Sequence, residues 1–213
     1  DEMLDHHEDR LREADGVVVP GGFGSRGIAG KLKAIEYCRE HNVPFLGLCL
    51  GFQMAVVEHA QNVLGFADAH SAELQPETPH PVIDILPEQY DVETMGGTMR
   101  LGAHETNIDP NTLAAAVYNG TVCTERHRHR YEVNPEYIDK LEAGALSFSG
   151  QADNRMEILE RSDHPFFLGT QFHPEFRSRP DRASPPFVSF LKSVDSTLDA
   201  RSLNVSTSEE VQI

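Results

Sequence analysis

One of the chain's cysteines stands in a setting that could make it a nucleophile. Cys49 lies in Gly47-Leu48-Cys49-Leu50-Gly51, at the end of the apolar run Val43-Pro44-Phe45-Leu46-Gly47-Leu48 and just before Phe52-Gln53-Met54-Ala55-Val56-Val57. A strand, a sharp turn with a nucleophile at its tip, then a helix is the nucleophile-elbow pattern, here with Cys in place of Ser. A side chain at the tip of so tight a turn crowds its neighbours, which calls for small flanking residues. A helix opening at Leu50 aims free N–H groups and its positive dipole end at the sulfur, which favours the thiolate. The same pentapeptide also fits a buried structural cysteine on a strand end. A second group tips the balance. Phe166-Phe167-Leu168-Gly169-Thr170-Gln171-Phe172 reads as a strand that runs into His173-Pro174-Glu175. In extended chain His173 and Glu175 project to one side. The carboxylate can then hold the imidazole's tautomer while the other ring nitrogen faces a nucleophile.

Two further stretches carry polar chemistry. Pro20-Gly21-Gly22-Phe23-Gly24 follows the β-branched run Val17-Val18-Val19. A glycine-rich loop at a strand's end lets a ligand approach backbone N–H groups closely. Its spacing is not the dinucleotide fingerprint, and no Lys-Ser/Thr closes it as a phosphate loop. In Glu125-Arg126-His127-Arg128-His129-Arg130-Tyr131, strand-like alternation puts His127 and His129 on one face and the arginines on the other. No third metal ligand is nearby in sequence and cations surround the pair, so no metal is expected. An arginine that clamps a carboxylate suits the stretch better, because its planar fork binds in bidentate fashion.

These groups need a scaffold that delivers them to one place. Ile28, Leu32, Ile35 and Cys38 form a helical stripe, so residues 26–41 read as an amphipathic helix between the strands 15–20 and 43–48. A strand–helix–strand unit implies parallel strands. The glycine loop and Cys49 then emerge on the same sheet edge, where open α/β sheets bind ligands. Residues 65–80 read as loop, 81–109 as alternating strands, 112–119 as a short helix, 145–150 and 155–160 as strands, and 185–194 as a closing helix. The fold class is α/β, a mostly parallel open sheet flanked by helices, with the elbow after a central strand. Residues 1–14 form a polar N-terminal segment, 15–194 the domain, and 195–213 a polar tail expected to be disordered.

Composition narrows the partners. Eighteen Lys and Arg against 34 Asp and Glu give a net charge of −16 over 213 residues. Such a surface repels phosphate backbones, which argues against nucleic acid, and it suits adaptation to high salt, where self-repulsion is screened. No apolar run is long enough for a membrane span. Cys38, Cys49 and Cys123, unpaired in spacing, indicate a reducing, cytoplasmic compartment. The first residue is Asp1, which suggests a piece of something longer.

Pro20-Gly21-Gly22-Phe23-Gly24, Gly47-Leu48-Cys49-Leu50-Gly51-Phe52-Gln53 and Gln171-Phe172-His173-Pro174-Glu175, in that order, resemble the class I (triad) glutamine amidotransferase family. The resemblance covers about residues 15–194. It implies that Cys49 attacks the side-chain amide of L-glutamine, that His173 is the base and Glu175 its orienting acid, and that the Gly22 and Leu50 N–H groups form the oxyanion hole. Gln53, Glu73 and Arg130 match substrate-holding positions, Glu73 for the α-amino group and Arg130 for the α-carboxylate. Gly97-Thr98-Met99-Arg100-Leu101-Gly102, Arg126-His127-Arg128-His129-Arg130-Tyr131-Glu132-Val133-Asn134 and Phe176-Arg177-Ser178-Arg179-Pro180 are similar to one branch, whose glutaminase domain supplies ammonia to a synthetase domain that aminates a pyrimidine nucleotide. That branch implies no cofactor in this domain, ATP and Mg in the synthetase domain, and a homo-oligomeric whole. Ser25, and Ser184-Pro185-Pro186-Phe187, depart from the family's usual residues without touching the three catalytic candidates. Another amidotransferase's glutaminase, a free-standing cysteine hydrolase and a catalytically silent regulatory domain stand as alternatives.

Overall fold

The computed structural model describes residues 9–86 and 99–196. Its centre is a seven-stranded sheet in the order β1 (Val17–Val19), β2 (Phe45–Leu48), β10 (Phe167–Thr170), β9 (Arg155–Arg161), β8 (Leu146–Ala152), β5 (Arg100–Ile108) and β6 (Val122–His129). β3 (Ala69–Ser71), β4 (His80–Asp84) and β7 (Glu132–Val133) make a second, smaller sheet. α1 (Ile28–His41), α2 (Leu50–Glu58), α3 (Leu113–Tyr118), α4 (Ile138–Leu141) and a helix at 185–196, α5, supply the helices.

The parallel part of the sheet carries the expected loops. β1 pairs with β2, and β2 with β10, both parallel, with Val19 opposite Gly47 and Thr170 opposite Leu48. The chain segments after Val19, Leu48 and Thr170 therefore leave the same sheet edge side by side. The Cys49 N–H continues the ladder onto the Thr170 carbonyl at 2.7 Å. Beyond β10 every pairing is antiparallel, through β9, β8 and β5 to β6. That half brings the 126–131 stretch round to the front of the parallel edge.

Burial follows residue type. All four residues of β2 are buried, as a strand covered on both faces requires. α2 is mostly apolar and buried along its whole length, and it packs between the sheet and α1. Ile28, Ile35 and Cys38 of α1 are buried, with Leu32 packed against the same core. β6 alternates outward and inward residue by residue, so His127 and His129 face in and Arg126 and Arg128 face out. Residues 65–80, read as loop, contain the three-residue β3; its bulged pairing with β4 gives so short an element no alternating signature. Thr112 caps α3 by accepting from the Ala115 N–H, and Asn119 ends it in left-handed conformation. Residues 9–12 are helical, while Gly97, Thr98 and the 197–213 part of the tail lie outside the described residues.

Candidate active site

Cys49 sits between β2 and α2 with φ 50° and ψ −98°. A positive φ in a non-glycine residue costs about 1–3 kcal/mol, held here by the packing around it. The glycines on either side are demanded by that packing. A Cβ on Gly47 would lie 2.9 Å from the Gly51 carbonyl carbon and oxygen. One on Gly51 would lie 2.1 Å from the Val19 carbonyl oxygen of β1. The elbow is thus wedged against two backbones at once.

His173 and Glu175 come from the segment after β10. His173 Nδ1 and Glu175 Oε1 are 2.6 Å apart. A carboxylate oxygen accepts, so Nδ1 carries the proton and Nε2 is left with its lone pair. Nε2 is buried without a hydrogen-bond partner among the described residues. The imidazole also stacks on Phe176, with ring centroids 4.6 Å apart, and the His173 N–H is bonded to the Arg126 carbonyl at 2.8 Å. Both ring and backbone are therefore fixed. Gly21 shows how close the two halves come: a Cβ built there would lie 2.8 Å from His173 Cε1 and 3.4 Å from Cys49 Cβ. Only a residue without a side chain fits between them.

Gly22, Phe23, Cys49, Gln53, Glu73, Met99, His129, Arg130 and Tyr131 enclose a cavity of about 240 Å³ beside the sulfur. The structure so places Gly22, Cys49, Gln53, Glu73 and Arg130 around one space. Leu50 opens α2 directly behind Cys49, and its N–H is directed at the sulfur. His173 and Glu175 are not in the cavity wall; they meet the site at Gly21. Gln53 Nε2 donates to the Tyr131 carbonyl at 2.9 Å and to Gln171 Oε1 at 3.2 Å, which commits both its hydrogens. Burial raises Glu73 and the charge of Arg130 opposes the rise, so the cavity holds one fixed charge of each sign.

The sulfur itself corrects an expectation. The start of α2 acts in the expected direction, since the Leu50 N–H lowers the Cys49 pKa. Burial outweighs it, and with the charges of Glu175, Glu73 and Glu132 the thiol is pushed up to about 12. At neutral pH Cys49 is a thiol, and it needs a base beside it. Cys38 and Cys123 are raised to about 12 by burial as well, which makes them inert core residues.

The His127–His129 pair does gain a third donor, from a strand the local sequence could not indicate. His127, His129 and Glu157 of β9 gather within 4.8 Å of one another. His127 Nδ1 and His129 Nε2 are 2.9 Å apart and share a hydrogen bond, while Arg100 forms an ion pair with Glu157. A guanidinium held on the one carboxylate of the group is a poor neighbour for a cation. Burial first, and the Arg100 charge second, push His127 down to about 2 and His129 to about 3, so both imidazoles are neutral. His129 lines the cavity, and His127 is hydrogen-bonded to His129.

A buried thiol, an imidazole held by a carboxylate and a charged cavity are groups that could together support nucleophilic hydrolysis. The family profile "Glutamine amidotransferase class-I" matches residues 2–193. The chain belongs to the class I glutamine amidotransferase family. This amidotransferase is 74% identical over 196 residues to the CTP synthase of Haloarcula hispanica, covering 91% of this chain and 35% of that protein. It is 70% identical over 194 residues to the CTP synthase of Halobacterium salinarum, again 91% and 35%. The solved glutaminase domain of Trypanosoma brucei CTPS, with bound acivicin, superposes with a TM-score of 0.84 at 38% identity, over 90% of this chain and 75% of that one. The amidotransferase therefore spans about a third of the length of the curated relatives it matches. Their names are those of salt-loving archaea, in keeping with the −16 charge. Among the described residues no helix is long and apolar enough to cross a membrane.

Two residues that the elements make important were not singled out in the sequence. Gly21 sits in the glycine loop, but its contact with His173 depends on β1 and β10 flanking β2. Gln171 sits in the His173 motif, and its side chain reaches Cys49.

Proposed function

We propose that this domain hydrolyses L-glutamine to glutamate and ammonia, and that in the whole protein the ammonia aminates UTP to CTP. The observation that carries the reading is the meeting of His173, tied to Glu175 at 2.6 Å, with Cys49 across Gly21. His173 Nε2 takes the thiol proton as the sulfur attacks the substrate's amide carbon. The Leu50 N–H, beside the sulfur, and that of Gly22, in the cavity wall, are assigned as the donors to the oxygen as it gains charge; each such donor is worth about 3 kcal/mol in the transition state. The same imidazole then protonates the departing ammonia, and water hydrolyses the thioester. Anchoring of the zwitterion falls to Glu73 for the ammonium and Arg130 for the carboxylate, with Gln53 beside them. ATP and Mg would act in a synthetase domain outside this chain, in a homo-oligomeric enzyme. The relatives' names support the CTP reading, as does the 126–134 stretch.

The test is glutamate release by Cys49→Ala, with labelling of Cys49 by a glutamine-analogue electrophile. Release should vanish, since no other side chain at the elbow can accept the acyl group. In the whole protein the variant should still make CTP from free ammonia. Glutamate release at the wild-type rate would overturn the reading. A labelled, glutamine-hydrolysing protein that aminates a different nucleotide would leave the glutaminase and remove the CTP step.

A further inference from the structure

Gln171 is fully buried, and neither the cavity wall nor the His173–Glu175 pair includes it. It follows directly on β10, with its N–H on the Glu157 carbonyl at 2.8 Å. The direction of its side-chain amide is dictated from across the site. The Tyr131 carbonyl oxygen can only accept, so the Gln53 atom 2.9 Å away is nitrogen. The second hydrogen of that nitrogen goes to Gln171, 3.2 Å away, which must therefore present its oxygen to Gln53. Gln171 Nε2 is left turned on Cys49 Sγ, at 3.7 Å. One backbone carbonyl, acting through two amides, ensures that the sulfur meets a donor.

We propose that Gln171 is a further catalytic residue, whose amide N–H stabilises the Cys49 thiolate when it forms and again when it is released from the acyl-enzyme. The proposal rests on the reading of Cys49 as the nucleophile. The surroundings create the need. Glu73, Glu132 and Glu175 disfavour negative charge on the sulfur, and burial disfavours it more. Among the described residues His173, His129, Arg130 and Arg128, whose guanidinium lies over the Phe23 ring, are the other titratable and charged groups met about the site. The Leu50 N–H is one compensating donor, and Gln171 is a second from the opposite element. In the thiol, the S–H hydrogen has the Arg128 carbonyl as its acceptor, at 4.0 Å, so a sulfur lone pair remains for Gln171. A hydrogen bond to a charged acceptor is about twice as strong as one to a neutral acceptor. Gln171 therefore favours thiolate over thiol, beyond holding the side chain in place.

The experiment follows carbamidomethylation of Cys49 by iodoacetamide, read by mass spectrometry of its peptide, across a pH series in the intact protein. Wild type is compared with Gln171→Leu and Gln171→Glu. In Gln171→Leu the rate at a given pH below the thiol midpoint should fall about tenfold, and raising the pH by about one unit should restore it. Gln171→Glu has nearly the same shape with an acceptor in the donor's place, and should fall further. It also carries the test if the leucine variant does not fold. In both, kcat for glutamate release should drop with little change in KM. A residue that only filled space would lower Tm and leave the pH profile in place; an unmoved profile in a folded variant overturns the proposal. Failure of the nucleophile reading shows elsewhere, in glutamate release by Cys49→Ala.

Discussion

Gly21→Ala adds one methyl group at the point where the two halves of the site meet. Gly21 is not among the glycines with positive φ, so alanine suits its backbone, and the perturbation is steric alone. The new Cβ would lie 2.8 Å from His173 Cε1, well inside the optimal carbon–carbon separation of about 3.5–4.0 Å. The imidazole cannot swing away cheaply, because Glu175 holds it at 2.6 Å and Phe176 stacks against it at 4.6 Å. Either the ring moves by several tenths of an ångström, or the loop retreats and takes the Gly22 N–H with it. A misplacement of about 1 Å costs about 100-fold in rate, so a loss of about 10- to 100-fold in kcat/KM is expected. The loop is a surface turn, and Tm should stay within about 2–4 °C of wild type, the shift worth about 1 kcal/mol in a chain this size. Glutamate release and thermal unfolding measured on the same preparation decide it. Activity within about threefold of wild type would show that the loop yields without consequence, and that the close approach at Gly21 does not position the base.

Three other expectations follow from the same packing and charge. Gly51→Ala would drive a Cβ to 2.1 Å from the Val19 carbonyl oxygen, and should cost about 3 kcal/mol or more by overpacking; a Tm within about 3 °C of wild type would count against the wedged elbow. Burial holds His127 near 2, His129 near 3 and His59 near 4, against an ordinary value of 6.5, so below 6.5 the unfolded chain binds more protons and stability is lost as the pH falls towards 4. Glu125 and Glu157, raised to about 7 by burial, act the other way between 4.5 and 7, and urea unfolding between about pH 7.5 and 5 should show the imidazoles prevailing; constant or rising stability on acidification would refute it. Finally, the charge of −16 should make the unfolding temperature rise with salt, most steeply below about 0.1 M, where the Debye length exceeds about 10 Å; a midpoint indifferent to salt would remove the link between acidity and brine.

What could be read from the sequence was what local pattern controls. The elbow declares itself because strand, nucleophile and helix are contiguous, with Gly47 and Gly51 crowded on either side of Cys49. His173 and Glu175 are two residues apart, so extended geometry alone brings them together. The inward face of β6 was legible for the same reason. Long-range pairing was not. Glu157 reaches His127 although β8 and β5 lie between β9 and β6, because the sheet curls, and nothing near residue 127 encodes that. The antiparallel half of the sheet depends on those same distant pairings. The helix dipole correctly indicated the sign of the Leu50 contribution to Cys49, but the burial that overrides it belongs to the assembled core. The α-helix that runs from Leu50 also loosens into a π-helical turn at His59–Val63, where His59 meets the Leu141 carbonyl and Arg161. Those partners lie far along the chain, and the turn left no local mark.

The Arg100–Glu157 ion pair sits in a different electrostatic climate from the acidic exterior. The side chains of Arg100 and Glu157 are 8% and 0% exposed, and His127 beside them is 0% exposed. Mobile ions in the surrounding water reach exposed carboxylates readily and reach these groups hardly at all. Dilution of the medium therefore changes how strongly the surface repels itself while leaving the field inside the site almost as it was. In such a protein the buried groups of the site are insulated from the salt that screens its acidic surface. If unfolding does respond to salt as expected, dilution would change how much of the population stays folded, while each molecule that remains folded keeps the Arg100–Glu157 pair unchanged.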